Sequence, residues 1–152
     1  MKDIEFKFKN PNDSPGYLLG QVTMLWQRKV KKVLDPLNLT QTQFVLLAAL
    51  AWLSKESDTV TQVDIANQGN ADRMMVSKVL RTLQEKNFIR RLAHPTDTRA
   101  NVIRLTEKGA KVLQSALAAI ERGDIDFFSI LGEQLSSFNQ DMVKLIEQNK
   151  GE

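Results

Sequence analysis

The first long run of helical spacing lies near the N-terminus of the chain. Ser14 can cap a helix and Pro15 is pre-organised for its first turn, so this pair predicts a helix start. Apolar residues then recur every three or four positions until Asp35-Pro36, where the proline disfavours a helical conformation in the residue before it. We therefore expect one long helix over residues 14–35. Its apolar positions are Leu18, Leu19, Val22, Leu25, Trp26, Val30, Val33 and Leu34.

The second helix begins with a pattern that satisfies its own backbone. Thr40 and Gln43 have the spacing of a capping box, in which the hydroxyl and the amide each accept the other's backbone N–H group. Residues 44–53 are almost wholly apolar. A helix that is apolar all round is buried, so this helix is expected at the centre of the domain.

Two short helices follow, separated by a turn. Thr61 can cap the first and Asp72 the second, and residues 68–70 between them tolerate positive φ. Asn87 can close the second helix in the left-handed conformation. The pattern predicts a helix-turn-helix. The apolar stripe of its second helix consists of Val76, Val79, Leu80 and Leu83.

The spacing changes from helical to extended after Asn87. Residues 88–93 and Asn101–Leu105 are rich in Ile, Val and Arg and predict two strands. The polar segment 94–100 between them is too long for a minimal hairpin turn. A protruding β-hairpin, or wing, is therefore expected after the helix-turn-helix.

The C-terminal third returns to helical spacing. Thr106 caps a long helix in which Gly123 is a possible kink, and Ser136 or Ser137 caps a last helix. The predicted fold is mainly α with a small β-hairpin wing. It forms a single domain over residues 1–152, with a winged helix-turn-helix core at 38–105 and dimerisation helices at 14–35 and 106–148.

Dimerisation is expected because the terminal helices carry more apolar surface than the winged core needs. Pairing with a second copy would bury that surface, and two-fold dimers are the commonest soluble assembly. Packing within one chain is the alternative.

Composition excludes several kinds of chemistry. The 152 residues include no cysteine and one histidine, His94, so thiol nucleophiles, disulfides and thiol redox sensing are excluded and a histidine-based metal site or catalytic centre has no support. We expect no enzyme activity, cofactor or metal. The first ten residues lack the apolar core of a signal peptide, and no apolar run is long enough to span a membrane. The expected location is cytoplasmic.

The net charge of +3 is unevenly distributed. Residues 71–105 contain eight Lys or Arg against three Asp or Glu, whereas residues 106–152 contain five against eight. A basic segment beside an acidic one is typical of a protein with a polyanion-binding element, although a solvated basic face is the alternative.

The helix that begins at Asp72 has a polar face opposite its apolar stripe. Ser77, Lys78 and Arg81 on this face can bond base edges or phosphates in the major groove, and Met74 can contact a thymine methyl. An ordinary solvated face is the alternative. The DNA-binding residues predicted on this helix are Arg73, Met74, Met75, Ser77, Lys78 and Arg81.

The wing and the third helix add further candidates. Arg99 can enter a minor groove, with Asp97 orienting it. Arg90 on the first strand either contacts the DNA backbone or is solvated. Thr61 and Gln62, at the start of the third helix, can bond phosphates.

Several motifs in order resemble the MarR family. Most of them lie between Thr61 and Gly109, and the order of elements on either side extends the resemblance to residues 14–148. Asn38 and Asn87 stand where the family has glycine, and Arg81-Thr82 departs from its acidic-basic pair. The matching motifs are Leu39-Thr40 with Gln43, Ile65-Ala66, Val76-Ser77-Lys78, residues 85–90, then Pro95, Asp97 and Arg99 before Val102-Ile103-Arg104-Leu105-Thr106 and Lys108-Gly109.

The resemblance implies a homodimeric regulator, most often a repressor, that binds double-stranded DNA at a pseudo-palindromic operator. It also implies release by a small aromatic or anionic effector bound between the dimerisation helices and the winged core. Tyr17, Trp26, Arg28 and Phe44 are the candidate neighbours of that pocket, with core packing as the alternative for Trp26 and Phe44. A winged-helix protein-interaction module that does not read DNA sequence is the alternative function, and a small enzyme is a third hypothesis.

Overall fold

The computed structural model describes residues 3–69 and 71–151, which form six α-helices and one two-stranded hairpin. Short 3-10 segments precede α1, follow it and join α5 to α6. The elements are α1 Pro15–Leu34, α2 Gln41–Leu53, α3 Gln62–Gln68, α4 Arg73–Glu85, β1 Ile89–Ala93, β2 Asn101–Leu105, α5 Glu107–Phe128 and α6 Leu135–Asn149. The predicted winged helix-turn-helix order is confirmed.

The side chains expected to cap helices accept backbone N–H groups. Thr40 Oγ1 accepts the amide of Gln43, and Gln43 Oε1 accepts the amide of Thr40, both at 3.1 Å. Thr61 and Asp64 form the same reciprocal pair at the start of α3. Each cap satisfies donors that the first turn leaves free, so the helix starts are set locally. The other confirmed caps are Ser14, Asp72 and Thr106.

Asparagine closes two segments in the left-handed conformation. Asn38 has a φ of 55°, and Asn87, as the sequence predicts, has a φ of 64°. After α4, the Phe88 amide donates to the Leu83 carbonyl at 3.0 Å, and the Asn87 amide donates to the Gln84 carbonyl at 2.9 Å. These bonds form a Schellman motif, which turns the chain directly from α4 into β1.

In the turn between α3 and α4, Gly69 does not adopt the positive φ that the sequence allows there. Gly69 caps α3 at a φ of −92°, a conformation open to any residue. Its amide donates to the Ile65 carbonyl at 3.2 Å, and the Ala71 amide donates to the Ala66 carbonyl at 2.9 Å. These bonds end α3 without a left-handed glycine. Asn70, also expected to break the helix, lies outside the described residues.

The core lies around α2, as its apolar sequence predicts. Gln43, at the start of α2, is its one buried polar residue within the described ranges, and its capping bonds satisfy it. Burial of apolar side chains joins α1, α4, the hairpin and α5 to α2 in one cluster. The largest fully buried residues are Leu34, Leu46, Leu47, Leu50, Ile65, Leu80, Leu83, Ile89, Ile103 and Val76.

The wing is an antiparallel hairpin held at its base. Ile89 pairs with Leu105 and Ala93 pairs with Asn101, so the strands match the expected segments apart from one residue at the start of β1. The Ile103 amide donates to the Val60 carbonyl at 2.8 Å. This bond fixes the hairpin to the segment before α3, which leaves residues 94–100 as the projecting loop.

Two expectations for the C-terminal helices are wrong. Gly123 does not kink α5; it is buried where α5 packs on Lys29 and Val33 of α1, and the helix continues to Phe128. The break comes at Gly132, whose φ of 53° and ψ of −125° are non-helical. α6 then begins after Gln134 without a side-chain cap, and the Ser137 hydroxyl donates instead to the Gln134 carbonyl at 2.9 Å.

The terminal helices pack unequally on the rest of the chain. α1 and α5 pack side by side, and Trp26 Nε1 donates to Asp124 Oδ1 at 2.9 Å. α6, which the structure describes in full, contributes no buried residue, and Val143, Leu145 and Ile146 are exposed. No helix in the described ranges is long and apolar enough to cross a membrane.

Gly109 provides a test of how α5 sits on the wing. A side chain there would overlap the Phe88 carbonyl group, which is backbone and cannot move aside. We expect Gly109→Ala to lower the free energy of unfolding by about 1 to 3 kcal/mol. The matched control is Gly123→Ala in the same helix, where a methyl group makes only ordinary contacts. That variant should be up to about 1 kcal/mol more stable, since alanine is the better helix former.

Urea unfolding measures both variants at one fixed protein concentration, because dimerisation would also shift the midpoint. An unchanged midpoint for Gly109→Ala would contradict the close approach of α5 to Phe88.

Candidate nucleic-acid interface

α4 has two faces of opposite character. Val76, Leu80 and Leu83 are fully buried, whereas Met74 is 82% exposed and Arg81 is also exposed. Met74 therefore leaves most of its apolar side chain free beside cations. Such a face can contact both thymine methyl groups and base-edge acceptors. Of the other residues predicted on this helix, Arg73, Met75 and Lys78 are exposed and Ser77 is half-buried.

The direction of α4 is held at both ends. At its start, Asp72 Oδ1 accepts the Met75 amide at 2.9 Å. At its end, Lys86 Nζ donates to the Asn38 carbonyl at 2.7 Å and to Gln43 Oε1 at 3.1 Å. Lys86 is therefore a structural cation that ties α4 to the start of α2. The sequence gives no signal for this role, because the partners are more than forty residues apart in the chain.

The wing loop is organised by two side-chain caps. His94 Nδ1 accepts the amides of Thr96 at 3.2 Å and Asp97 at 3.0 Å. Asp97 Oδ1 accepts the Arg99 backbone amide at 3.0 Å. Asp97 thus orients the backbone that carries Arg99, and among the described residues no ion pair joins its carboxylate to the guanidinium. The Arg99 side chain is exposed.

A cleft of about 480 Å³ separates the start of α3 from the wing and its loop. It brings together four predicted residues from two parts of the chain, with Thr61 and Gln62 on one side and Asp97 and Arg99 on the other. Arg91 also lines the cleft, and its buried Nε has no hydrogen-bond partner among the described residues. Thr61, Gln62 and the two arginines offer hydroxyl, amide and guanidinium donors of the kind that bind phosphate, and the carboxylates of Asp64 and Asp97 also line the cleft.

The outer face of the hairpin carries two arginines opposite each other. Arg90 pairs in register with Arg104, and both are exposed. Like charges at directly opposed strand positions are destabilising, a cost that a nearby polyanion would offset. Arg104 is partly used within the fold, since its guanidinium donates to the Asp58 carbonyl at 3.3 Å. Arg90 is the more available of the two.

The candidate effector residues do not converge within this chain. Trp26 and Phe44 pack against the core, whereas Arg28 is exposed with its guanidinium 3.8 Å from Met24 Sδ. Tyr17 lies nine residues before Trp26 on α1, about 13 Å along the helix axis. The effector site therefore stays a prediction. In the described part of the chain, no group of three or more His, Cys, Asp or Glu could hold a metal ion.

Comparison with known proteins agrees with this geometry. The MarR family model matches residues 39–100. The fold is similar to the S. aureus MepR–DNA complex, with a TM-score of 0.81 and 25% identity over 89% of this chain and 98% of that one. It is also similar to CouR of Rhodococcus jostii bound to p-coumaroyl-CoA, with a TM-score of 0.80 and 22% identity over 95% of this chain and 98% of that one.

One relative has a higher sequence identity to this chain than these solved structures have. The chain is 45% identical over 123 residues to YdcH of Bacillus subtilis, an uncharacterized HTH-type transcriptional regulator, and the match covers 81% of this chain and 84% of YdcH. Identity at this level over most of both chains, together with the matching core and the winged helix-turn-helix fold, shows that this protein belongs to the MarR family.

Proposed function

We propose that the protein is a sequence-specific DNA-binding transcriptional regulator that acts as a homodimer on a pseudo-palindromic operator. The observation that carries this proposal is the exposed face of α4, where Met74, Lys78 and Arg81 stand free beside a capped wing loop. A regulator of chromosomal DNA works in the compartment that holds it, so we place this one in the cytoplasm. The relatives are regulators, and we propose no enzyme activity.

Each residue of the α4 face has a distinct role in the major groove. Arg81 and Lys78 donate to guanine acceptors, Ser77 bonds a base edge or a phosphate, and Met74 packs on a thymine methyl. Arg73 and Met75 lie in the first turn of α4 and contact the flanking backbone. The firm anchoring of α4 by Asp72 and Lys86 limits the entropy lost on binding.

The wing and α3 add positioning contacts that do not read bases directly. Arg99 enters a minor groove, where narrow A/T-rich segments attract a guanidinium. Thr61 and Gln62 at the start of α3, and Arg90 on β1, bond phosphates on either side. Within the basic segment, Lys86 is occupied by internal bonds, so the DNA contacts fall mainly to the other cations.

The homodimer follows from the unequal packing of the terminal helices. α6 has exposed Val143, Leu145 and Ile146, and its apolar side needs a partner outside the protomer core. A two-fold axis through this surface would present two α4 helices to half-sites about one helical turn apart.

We also propose repression that a small aromatic or anionic effector relieves. CouR, with a similar fold, is bound to p-coumaroyl-CoA, which is both aromatic and anionic. An effector between the dimerisation helices and the winged core would alter the spacing of the two α4 helices. It can do so only by binding the two states with different affinity.

A winged-helix module that binds only proteins is not favoured. It would have no need for an outward cationic face on α4 or for opposed arginines on the wing. Salt-dependent binding to random duplex DNA separates the two functions, because counterion release gives a steep slope only for a DNA-binding protein. Absence of binding at low salt would favour the protein-interaction module.

Replacing Arg81 and Arg99 separately tests base and groove contacts. Loss of a bidentate guanine contact costs about 1 to 3 kcal/mol of binding free energy. Arg81→Ala should therefore reduce the preference for guanine over the other bases at one base pair per half-site. Arg99→Ala should instead weaken binding to many sequences, and most strongly to those with A/T-rich flanks. It should also reduce the slope of log affinity against log salt concentration by about one per wing.

Competition titrations on an operator, a single-base variant and a random duplex distinguish these effects. Arg104→Ala is a comparison on the same wing, and it should weaken binding less than Arg99→Ala because the Arg104 guanidinium already bonds the Asp58 carbonyl. If Arg81→Ala and Arg99→Ala lose the same factor on all three duplexes, neither residue reads sequence or groove shape.

Removal of residues 136–152 tests the dimer. The deletion takes away nearly all of α6, which adds no buried side chain to the protomer, so the circular dichroism spectrum should lose only the helical signal of α6 while the winged core stays folded. Association and operator binding should weaken together, since two half-sites need two linked subunits. A stable dimer with full operator affinity would refute this role for α6.

Thermodynamic reciprocity tests the effector. A ligand that lowers operator affinity by some factor must bind the free dimer more tightly than the DNA complex by the same factor. Calorimetric titration of an aromatic carboxylate or an aromatic acyl-CoA into the free and DNA-bound dimer measures both affinities. A fall in operator affinity that continues without limit as the ligand concentration rises, with no ternary complex of dimer, ligand and DNA, would show that the ligand competes for the DNA surface and acts through no allosteric site.

A further inference from the structure

We propose that His94 is a positioning residue whose neutral imidazole holds the wing loop, residues 94–100, in the conformation that presents Arg99, and whose protonation releases that loop. The proposal rests on the DNA-binding function proposed above and deepens it. The preference for A/T-rich flanks that the wing contributes should then be present above neutral pH and lost in mild acid.

The hydrogen bonds of the loop fix the protonation state of the His94 ring. Its Nδ1 accepts the amides of Thr96 at 3.2 Å and Asp97 at 3.0 Å. A backbone amide can only donate, so in this conformation Nδ1 carries no proton and the proton of the neutral ring is on Nε2. The Thr96 hydroxyl, 3.4 Å from Nδ1, can turn its own proton away, whereas the two amides cannot. A proton added to Nδ1 therefore breaks both amide bonds.

The wing loop has little backbone bonding of its own. Among the described residues, one bond between backbone groups lies within residues 94–100, from the Ala100 amide to the Asp97 carbonyl at 3.3 Å. The side chains of His94 and Asp97 supply the other bonds of the loop, and Asp97 Oδ1 accepts the Arg99 amide at 3.0 Å. His94 thus holds Asp97, and Asp97 holds the backbone of Arg99. Loss of the His94 bonds releases this relay at its first step.

The imidazole is the group in this part of the chain that changes charge near neutral pH. Histidine ordinarily titrates between about pH 5 and pH 8, and His94 is the one histidine of the sequence. It is half-buried, so water can reach it. Carboxylates and guanidinium groups keep their charge over this range. The charged residues that share the cleft with His94 are of these two kinds, namely Asp64 on α3, Arg91 on β1, and Asp97 and Arg99 in the loop.

Protonation of His94 acts on DNA binding in two opposite ways. A cation added to the wing attracts phosphates and strengthens binding to every duplex. Release of the loop removes the fixed position of Arg99, whose proposed contact depends on the width of the minor groove. The ratio of the affinities for duplexes with A/T-rich and G/C-rich flanks isolates the second effect, because the added charge contributes equally to both affinities.

The test measures this ratio for the full chain as a function of pH. Two duplexes contain the same half-sites, selected from a random pool above neutral pH, and differ only in their flanks. Fluorescence anisotropy at one salt concentration gives both affinities. We expect the wild-type ratio to fall at least about threefold between about pH 8 and about pH 5.5, since loss of one hydrogen bond changes an equilibrium by about twofold to tenfold.

Substitutions at His94 separate titration from structure. His94→Asn is the matched control, because an amide oxygen accepts the same backbone donors and does not titrate. This variant should keep the high ratio at both ends of the pH range. His94→Ala has no acceptor and should show the low ratio at both ends. Arg99→Ala should also show a low ratio that does not change with pH, since His94 is proposed to act through Arg99.

Nuclear magnetic resonance of the free protein observes the loop without DNA. The amide signals of Thr96 and Asp97 should shift with pH at the same midpoint as the His94 ring, and in His94→Asn they should stay in place. A wild-type ratio that is constant with pH, a ratio that still titrates in His94→Asn, or amides that do not respond to the ring would overturn the proposal.

The outcome is separable from that of the proposed function. A sequence-selective protein whose flank ratio does not depend on pH would leave the regulator standing and refute the role of His94. Loop amides that titrate with His94 in a protein that selects no DNA sequence would refute the regulator and leave the hold of His94 on the loop standing.

Discussion

The seating of α4 in the core is the constraint on which the rest of this molecule depends. A helix of thirteen residues is marginal alone in water, so α4 exists because Val76, Leu80 and Leu83 are buried with α2. Burial of that stripe leaves one rotational setting for the helix. Met74 and Arg81 then face outward because of what lies beneath them.

Fixing α4 also fixes the wing. The left-handed conformation of Asn87 turns the chain from the end of α4 into β1 within two residues. Gly109 has no side chain, so α5 can pack directly against the Phe88 carbonyl. The Ile103 bond to Val60 joins the hairpin to the other side of the helix-turn-helix. The proposed groove contacts and wing contacts therefore belong to one rigid frame, and a change in dimer spacing would move them together.

The positive charge of the central segment serves two purposes. Lys86 donates hydrogen bonds that hold α4 to the start of α2, and Arg104 donates to the Asp58 carbonyl. Arg90 and Arg99 remain free. Net charge alone would have overstated the surface available to a polyanion, because cations with internal acceptors contribute to stability and less to binding.

The sequence alone determined the interactions between residues that lie close together in the chain. The caps at Thr40 and Asp72, the closure at Asn87, the wing strands and the outward face of α4 all depend on spacings of up to seven positions, which the chain displays directly. Only the tertiary structure decided that Gly123 packs on α1, that the C-terminal break falls at Gly132 and that Lys86 bonds Asn38. Gly123 and Lys86 contact residues that are far away in the sequence. From local sequence alone, either Gly123 or Gly132 could have broken the helix. Packing decided between them, because α1 covers Gly123 and leaves Gly132 in open space.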